Sequence, residues 1–202
     1  MPLIKYNNQS LSSVTALPSA IPTGKLKLIS SQTASNSASI SFTSGLNSTY
    51  KVYRFVFVNI YARTNDTNFS MQFSTNGGST YATTTTSTAF RTYHEESDAG
   101  TTLGYDTGAD TAQSTGFFNL IRGLGNVSDE NFSGTMTLFN PASTTYVKHF
   151  ISQQQSNAHF DASQSYFIAG YANTTSAVNA VQFKMDSGNF DGTIYLYAID
   201  NS

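Results

Sequence analysis

The side chains able to do chemistry gather in one stretch of the chain. Tyr93-His94-Glu95-Glu96 sets an imidazole beside two carboxylates, the residue types that hold a metal ion or move a proton. Adjacent side chains of an extended chain point to opposite faces, so this run does not close around a single ion, and a solvated loop accounts for it. Asp106-Thr-Gly-Ala-Asp110 weakly echoes a calcium loop but lacks the repeated carboxylates and the distal bidentate glutamate. The remaining histidines, His149 and His159, have no companion motif. There is no Gly-x-Ser-x-Gly nucleophile elbow and no His-Glu-x-x-His zinc pair. No glycine-rich phosphate loop opens a helix. Paired carboxylates for glycoside hydrolysis are defined by their separation in space, and nothing in the sequence selects a pair. The expectation is a chain that is not an enzyme and uses no cofactor or metal.

Binding chemistry is the alternative. Tyr81, Tyr105 and Phe160 lie in predicted loops, where an aromatic ring can stack on a sugar, and Tyr93 and Tyr105 lie near acidic side chains. Tyr93, Tyr105 and Asp106 are therefore the candidate contacts for a host glycan. The competing role for such aromatics is to cover the ends of a β-structure. Asn-x-Ser/Thr triplets at Asn47, Asn65, Asn126 and Asn173 are what chance gives in a chain with about 70 Ser, Thr and Asn residues.

The elements that must position these residues read as strands. Lys25 to Ile29 alternates, with Leu26 and Leu28 on one face; Ser37 to Thr43 places Ile40 and Phe42 inward. Tyr50 to Ala62 is the most hydrophobic stretch. Tyr53, Phe55 and Phe57 share one face, and Val52, Val56, Val58 and Ile60 the other, interrupted by Arg54. That pattern predicts a central strand covered on both sides. Asn68 to Ser74 and the turn Thr75-Asn-Gly-Gly-Ser79 predict a hairpin whose partner runs from Ser79 to Tyr93. Residues 94 to 115 read as a long loop. Strands follow at Gly116 to Ile121, Gly134 to Phe139, Thr144 to Ser152, Tyr166 to Ala172 and Ala177 to Met185. The chain then closes with Ile194, Leu196 and Ala198 alternating with Tyr195, Tyr197 and Ile199, a final strand inside a sheet with both faces covered. Ten or eleven strands and no amphipathic helix predict an all-β fold, an antiparallel β-sandwich that is jelly-roll-like.

Residues 1 to 24 differ. They hold three of the four prolines and scattered apolar anchors, Leu3, Ile4, Tyr6, Leu11, Val14 and Leu17. The reading is an extended N-terminal arm followed by a β-sandwich domain over residues 25 to 202, the anchors serving to attach the arm to its own domain or to another subunit.

Composition limits the partners. Charged residues make up 11% of the chain, against about a quarter in an ordinary domain. The formal net charge of −2 offers no basic face for phosphates, so nucleic acid is not an expected partner. There are no cysteines, which excludes a disulfide framework and a thiolate nucleophile. The first residues lack an apolar signal-peptide core, and the apolar run Phe55 to Val58 is too short to span a bilayer, so no membrane partner is expected.

Several segments together resemble a family of small all-β virion structural proteins of tailed bacteriophages of aquatic bacteria. They are Ile4-Lys-Tyr-Asn-Asn8, Gln32-Thr-Ala-Ser35 with Ile40-Ser-Phe-Thr-Ser-Gly45, Tyr93-His-Glu-Glu96, Leu138-Phe-Asn-Pro-Ala-Ser-Thr-Thr145 with Val147-Lys-His-Phe150, Ala169-Gly-Tyr171 through Asn173-Thr-Thr-Ser-Ala177, and Phe183-Lys-Met-Asp-Ser-Gly-Asn-Phe-Asp-Gly-Thr-Ile194. The resemblance implies a virion surface protein made in the host cytoplasm, with other capsid or tail proteins as partners. A capsid decoration or cement subunit, working as a homo-oligomer, a trimer first of all, is the leading expectation. A tail-fibre or receptor-binding module recognising host glycans, or a stand-alone lectin-like domain, is the runner-up. The resemblance carries over no catalytic residues.

Overall fold

The computed structural model describes residues 26–199. The arm, with Leu3, Ile4, Tyr6, Leu11, Val14 and Leu17, lies outside the described residues. Those residues form an all-β, antiparallel structure with thirteen strands and no helix. The larger sheet runs in the order β1 (Leu26–Ser37), β13 (Phe190–Ile199), β3 (Val52–Ala62), β9 (Phe132–Phe139), β10 (Lys148–Ala158), β11 (Ala162–Ala172), β5 (Thr85–Glu95) and β6 (Thr101–Tyr105), and β7 (Thr111–Ser114) also pairs with β5. The smaller sheet is β2 (Ile40–Phe42), β12 (Ala180–Met185), β4 (Thr67–Ser74) and β8 (Phe118–Leu124).

Eight strands pair like a folded ribbon: β1 with β13, β2 with β12, β3 with β9 and β4 with β8. Successive rungs of the ribbon enter opposite sheets, and the additional pairings β13 to β3 and β12 to β4 close each sheet. Two excursions interrupt the ribbon. The strands β5 to β7 and the hairpin β10–β11 both add to the larger sheet alone.

Alternation builds the core between the sheets. Tyr53, Phe55 and Phe57 of β3 and Ile194, Leu196 and Ala198 of β13 point inward and are buried, as are Phe69, Met71 and Phe73 of β4. Phe183 of β12 is the hub, its ring centroid 5.2 Å from that of Phe55, 5.3 Å from Phe57, 5.8 Å from Phe69 and 6.3 Å from Phe42. The contacts with Phe42, Phe55 and Phe57 are edge-to-face, the arrangement ring quadrupoles favour.

Four expectations are corrected. First, β3 and β13 are central but, among the described residues, covered on one face only: Val52, Arg54 and Val56, with Tyr195, Tyr197 and Ile199, are half-exposed. Apolar residues on both faces of a strand report strand propensity as much as burial. Second, Ile60 does not join Val58. A bulge, with Asn59 at φ 49°, shifts the register between Phe57 and Ile60 and turns Ile60 into the core. Third, Asn76-Gly77-Gly78 is a turn but not a hairpin, because β4 and β5 leave it into different sheets. Fourth, residues 94 to 115 are not one loop. They contain β6 and β7, both paired with β5.

A sheet of nine strands cannot be covered by one of four. The inner face of β10, β11 and β5 consequently turns polar toward the rim of the small sheet. Ser152, Gln154, Ser156, Gln164, Thr85 and Ser87 are buried there, with Gln164 Nε2 donating to the Arg122 carbonyl (2.8 Å) and to Ser156 Oγ (2.9 Å).

Candidate functional site

The uncovered part of that inner face forms a cleft of about 320 Å³ against β8, the edge strand of the small sheet. Strand periodicity supplies one wall. Thr85, Ser87 and Ala89 of β5 are buried, and the same face continues through Arg91, Tyr93 and Glu95, each half-buried. The strand runs out from under the small sheet, and its inward side chains change from core to cleft lining. Arg122 and Gly123 of β8, Asn68 of β4, Asp66 of the preceding turn, and His159 and Phe160 of the β10–β11 turn complete the lining.

The turn is docked through Gly123, whose carbonyl accepts from the His159 amide at 3.0 Å. Gly123 sits at φ +71°, where a side chain would be strained, and a Cβ there would lie 3.3 Å from the His159 ring. His159 Nε2 is 3.2 Å from Asp66 Oδ1. Phe160 meets Tyr93 edge-to-face at 5.3 Å, and the Arg91 guanidinium lies over the Tyr93 ring at 5.5 Å.

Beneath the lining, Asp106 holds both arginines. It is only 7% exposed. Its Oδ1 accepts from Arg122 Nη1 (2.8 Å) and from the Gly108 amide (2.9 Å); its Oδ2 accepts from the Tyr166 hydroxyl (2.8 Å) and faces Arg91 Nε at 3.6 Å. Burial alone would push this carboxyl up. The Tyr166 hydroxyl, the Gly108 amide, Arg122 and Arg91 outweigh it, and Asp106 ionises below the usual aspartate range. Tyr166 is shifted the other way, upward, by burial and by the carboxylate it bonds. A Cβ at Gly108 would fall 2.3 Å from Arg122 Nη1, so a larger residue there must push the guanidinium off its bond to Asp106.

The structure separates the three candidate glycan contacts. Tyr93 lines the cleft. Asp106 lies under it with its carboxylate fully engaged, a positioning group out of reach of a ligand. Tyr105 of β6 pairs with Phe90, whose side chain is on the outer face of the large sheet, and its hydroxyl donates to Asp110 at 2.6 Å. Residues close in sequence diverge here because Tyr93 and Tyr105 occupy opposite parities on neighbouring strands. His94 pairs with Asp98, Nε2 to Oδ1 2.9 Å, and not with Glu95 or Glu96. Among the described residues no three His, Asp or Glu side chains gather as a metal ion would need. Tyr81 and His149 lie outside this lining.

Arg91, Arg122, Asp66 and His159 were not singled out by sequence reasoning as one group. The i, i+2 spacing of Arg91, Tyr93 and Glu95 is the one local signal that could have found part of the cleft; the rest comes from three other segments. Compared with protein-family models, curated proteins and solved structures, the chain matches none.

Proposed function

We propose that this chain is a structural subunit of a bacteriophage virion surface, in the first place a capsid decoration subunit, and that it works as a homo-oligomer. The observation that carries the oligomer is the outer face of the nine-stranded sheet, which no other described element covers. Every exposed large apolar residue in a described strand lies on it: Leu26, Leu28, Val58, Phe90, Leu103, Tyr105 and Ile151. They continue into one another across the register. Leu28, Tyr197, Arg54, Thr137, Ile151 and Ala169 form one lateral row, and Tyr195, Val56, Thr135, Gln153, Phe167, Phe90 and Tyr105 the next. Phe90 and Phe167 stack at 4.8 Å beside a shallow apolar pocket that includes Ile151.

Arg54 is the single charged side chain in these two rows, and it bonds Thr137 Oγ1 at 3.3 Å. A face with apolar rows and almost no charge fits a second face of the same kind; a strongly charged partner would find nothing to pair with. A second copy of the chain is therefore its occupant. The ribbon winding of the eight core strands also fits a jelly roll, an architecture used in viral capsids and in lectins, which supports a particle role by analogy only. The sequence resemblance supplies the phage assignment, and no catalytic step belongs to this reading.

The test is the mass of the purified chain in solution by light scattering, together with that of Ile151→Glu and Phe90→Glu. An oligomer, a two-fold dimer where two such faces meet directly or the trimer the resemblance implies, that becomes monomeric in either variant with an unchanged far-UV circular dichroism spectrum supports the assignment. A monomeric wild-type chain at micromolar concentration overturns it. For the particle, deletion of residues 1 to 24 is expected to abolish binding to virions; unchanged binding would remove the arm from the mechanism.

A further inference from the structure

We propose that the cleft between β5, β8 and the β10–β11 turn is a binding site for an uncharged saccharide. The site is independent of the oligomer face, since Tyr93 and Glu95 point to the other side of the sheet from Phe90. Three observations converge on this ligand class.

The first is size and shape. About 320 Å³ falls at the lower end of the range for small-ligand pockets and suits one or two sugar rings. The second is the donor and acceptor set. Arg91 and Arg122 bring planar forks of N–H donors, and Glu95 and Asp66 bring carboxylate acceptors. Vicinal hydroxyls, which both donate and accept, match such pairs in a bidentate way. The Tyr93–Phe160 pair offers an aromatic wall for the C–H face of a ring.

The third is charge. Asp66, Glu95 and Asp106 set three carboxylates against two guanidiniums, and Asp106 has already engaged both. A phosphate, uronate or sialate would meet a site whose positive charge is spent, whereas a neutral polyol would not. The donors are also held in advance. Arg122 is held by Asp106, Arg91 between Asp106 and the Tyr93 ring, and the His159 ring by Asp66. Little side-chain freedom remains to be lost on binding.

The experiment is ligand-observed saturation-transfer NMR on the full chain. The panel is glucose, galactose, mannose, N-acetylglucosamine, maltose and lactose, with sialyllactose as the anionic comparator. At least one neutral sugar is expected to bind, weakened about tenfold or more by Tyr93→Ala and by Glu95→Gln. Tyr146→Ala, exposed and outside the cleft lining, is expected to leave binding unchanged. Glu95→Gln keeps the side-chain shape, so it stands alone if Tyr93→Ala melts early. No binding by any neutral sugar, binding indifferent to both variants, or a preference for sialyllactose overturns the proposal. The oligomer measurement is separate, so failure here leaves the assembly reading to its own test.

Discussion

Replacing Asp106 by asparagine removes one charge and, by the geometry above, disorganises the floor of the cleft. The variant leaves Arg91 and Arg122 without their counter-charge. An amide also cannot accept from all of Arg122, Gly108, Tyr166 and Arg91, because its NH2 faces donors. Removing one partner of a fully buried ion pair costs about 3–5 kcal/mol. The two arginine side chains are 33% and 36% exposed, so solvent screens part of that loss and about 2–3 kcal/mol is expected. In a chain of 202 residues that is a fall in melting temperature of about 5–10 °C at pH 7. The assay is thermal and urea unfolding of the wild type and Asp106→Asn from pH 7 down to pH 3. The Asp106 carboxyl ionises lower in the folded chain than the 3.8 of an unperturbed aspartate. Its contribution is therefore complete above pH 3.8 and is lost as pH falls through the folded value. The gap between wild type and variant should be full at pH 7 and shrink at the acid end. Tyr166→Phe should cost about 1.5–3 kcal/mol, as expected for a hydrogen bond to a charged group, and the double variant should fall short of additivity. A melting shift under about 2 °C at pH 7, or a gap as wide at pH 3 as at pH 7, would refute the clamp.

Gly108→Ala should act on the same clamp from the other side, since its Cβ would sit 2.3 Å from Arg122 Nη1; a loss of about 1–3 kcal/mol in urea unfolding is expected, not additive with Asp106→Asn. Phe183→Ala removes the ring that touches four others and should cost about 3–5 kcal/mol, read as a lowered urea midpoint with unchanged slope. Lys148 is fully buried, its ammonium donating to the carbonyls of Tyr146 (2.8 Å) and Thr174 (3.0 Å), and burial lowers its pKa from 10.5. The unfolded chain then holds the extra proton below 10.5, so wild-type stability should rise with pH on approaching that value. Urea midpoints at pH 7 and 10.5 should show this rise in the wild type and a smaller one in Lys148→Met; equal changes would refute the assignment.

Parts of the fold are legible in local sequence because strand alternation is local. The inward sets Ile40 and Phe42, Phe69 to Phe73, and Ile194 to Ala198 follow from a period of two and stand buried in the structure. The turn at Asn76 to Gly78 was equally visible as a turn. Its destination was not, because dihedral preference fixes the bend and says nothing of which sheet receives the next strand. The same holds for β3. Val52, Val56 and Val58 look like Phe55 and Phe57 in hydropathy, and only the layer count leaves the valine face uncovered.

The candidate site divides along the same line. The chain by itself determined an all-β architecture, the inward faces of its main strands, the low charge, and the placement of Tyr93 beside Glu95. Tertiary structure alone decided that Arg122, His159 and Asp66 line one cleft with Tyr93, that Asp106 lies beneath them and that Tyr105 faces away. The reason is geometric. Side-chain parity is fixed within each strand, but the cleft exists because nine strands are faced by four, and sheet width is set by pairings between residues far apart in sequence.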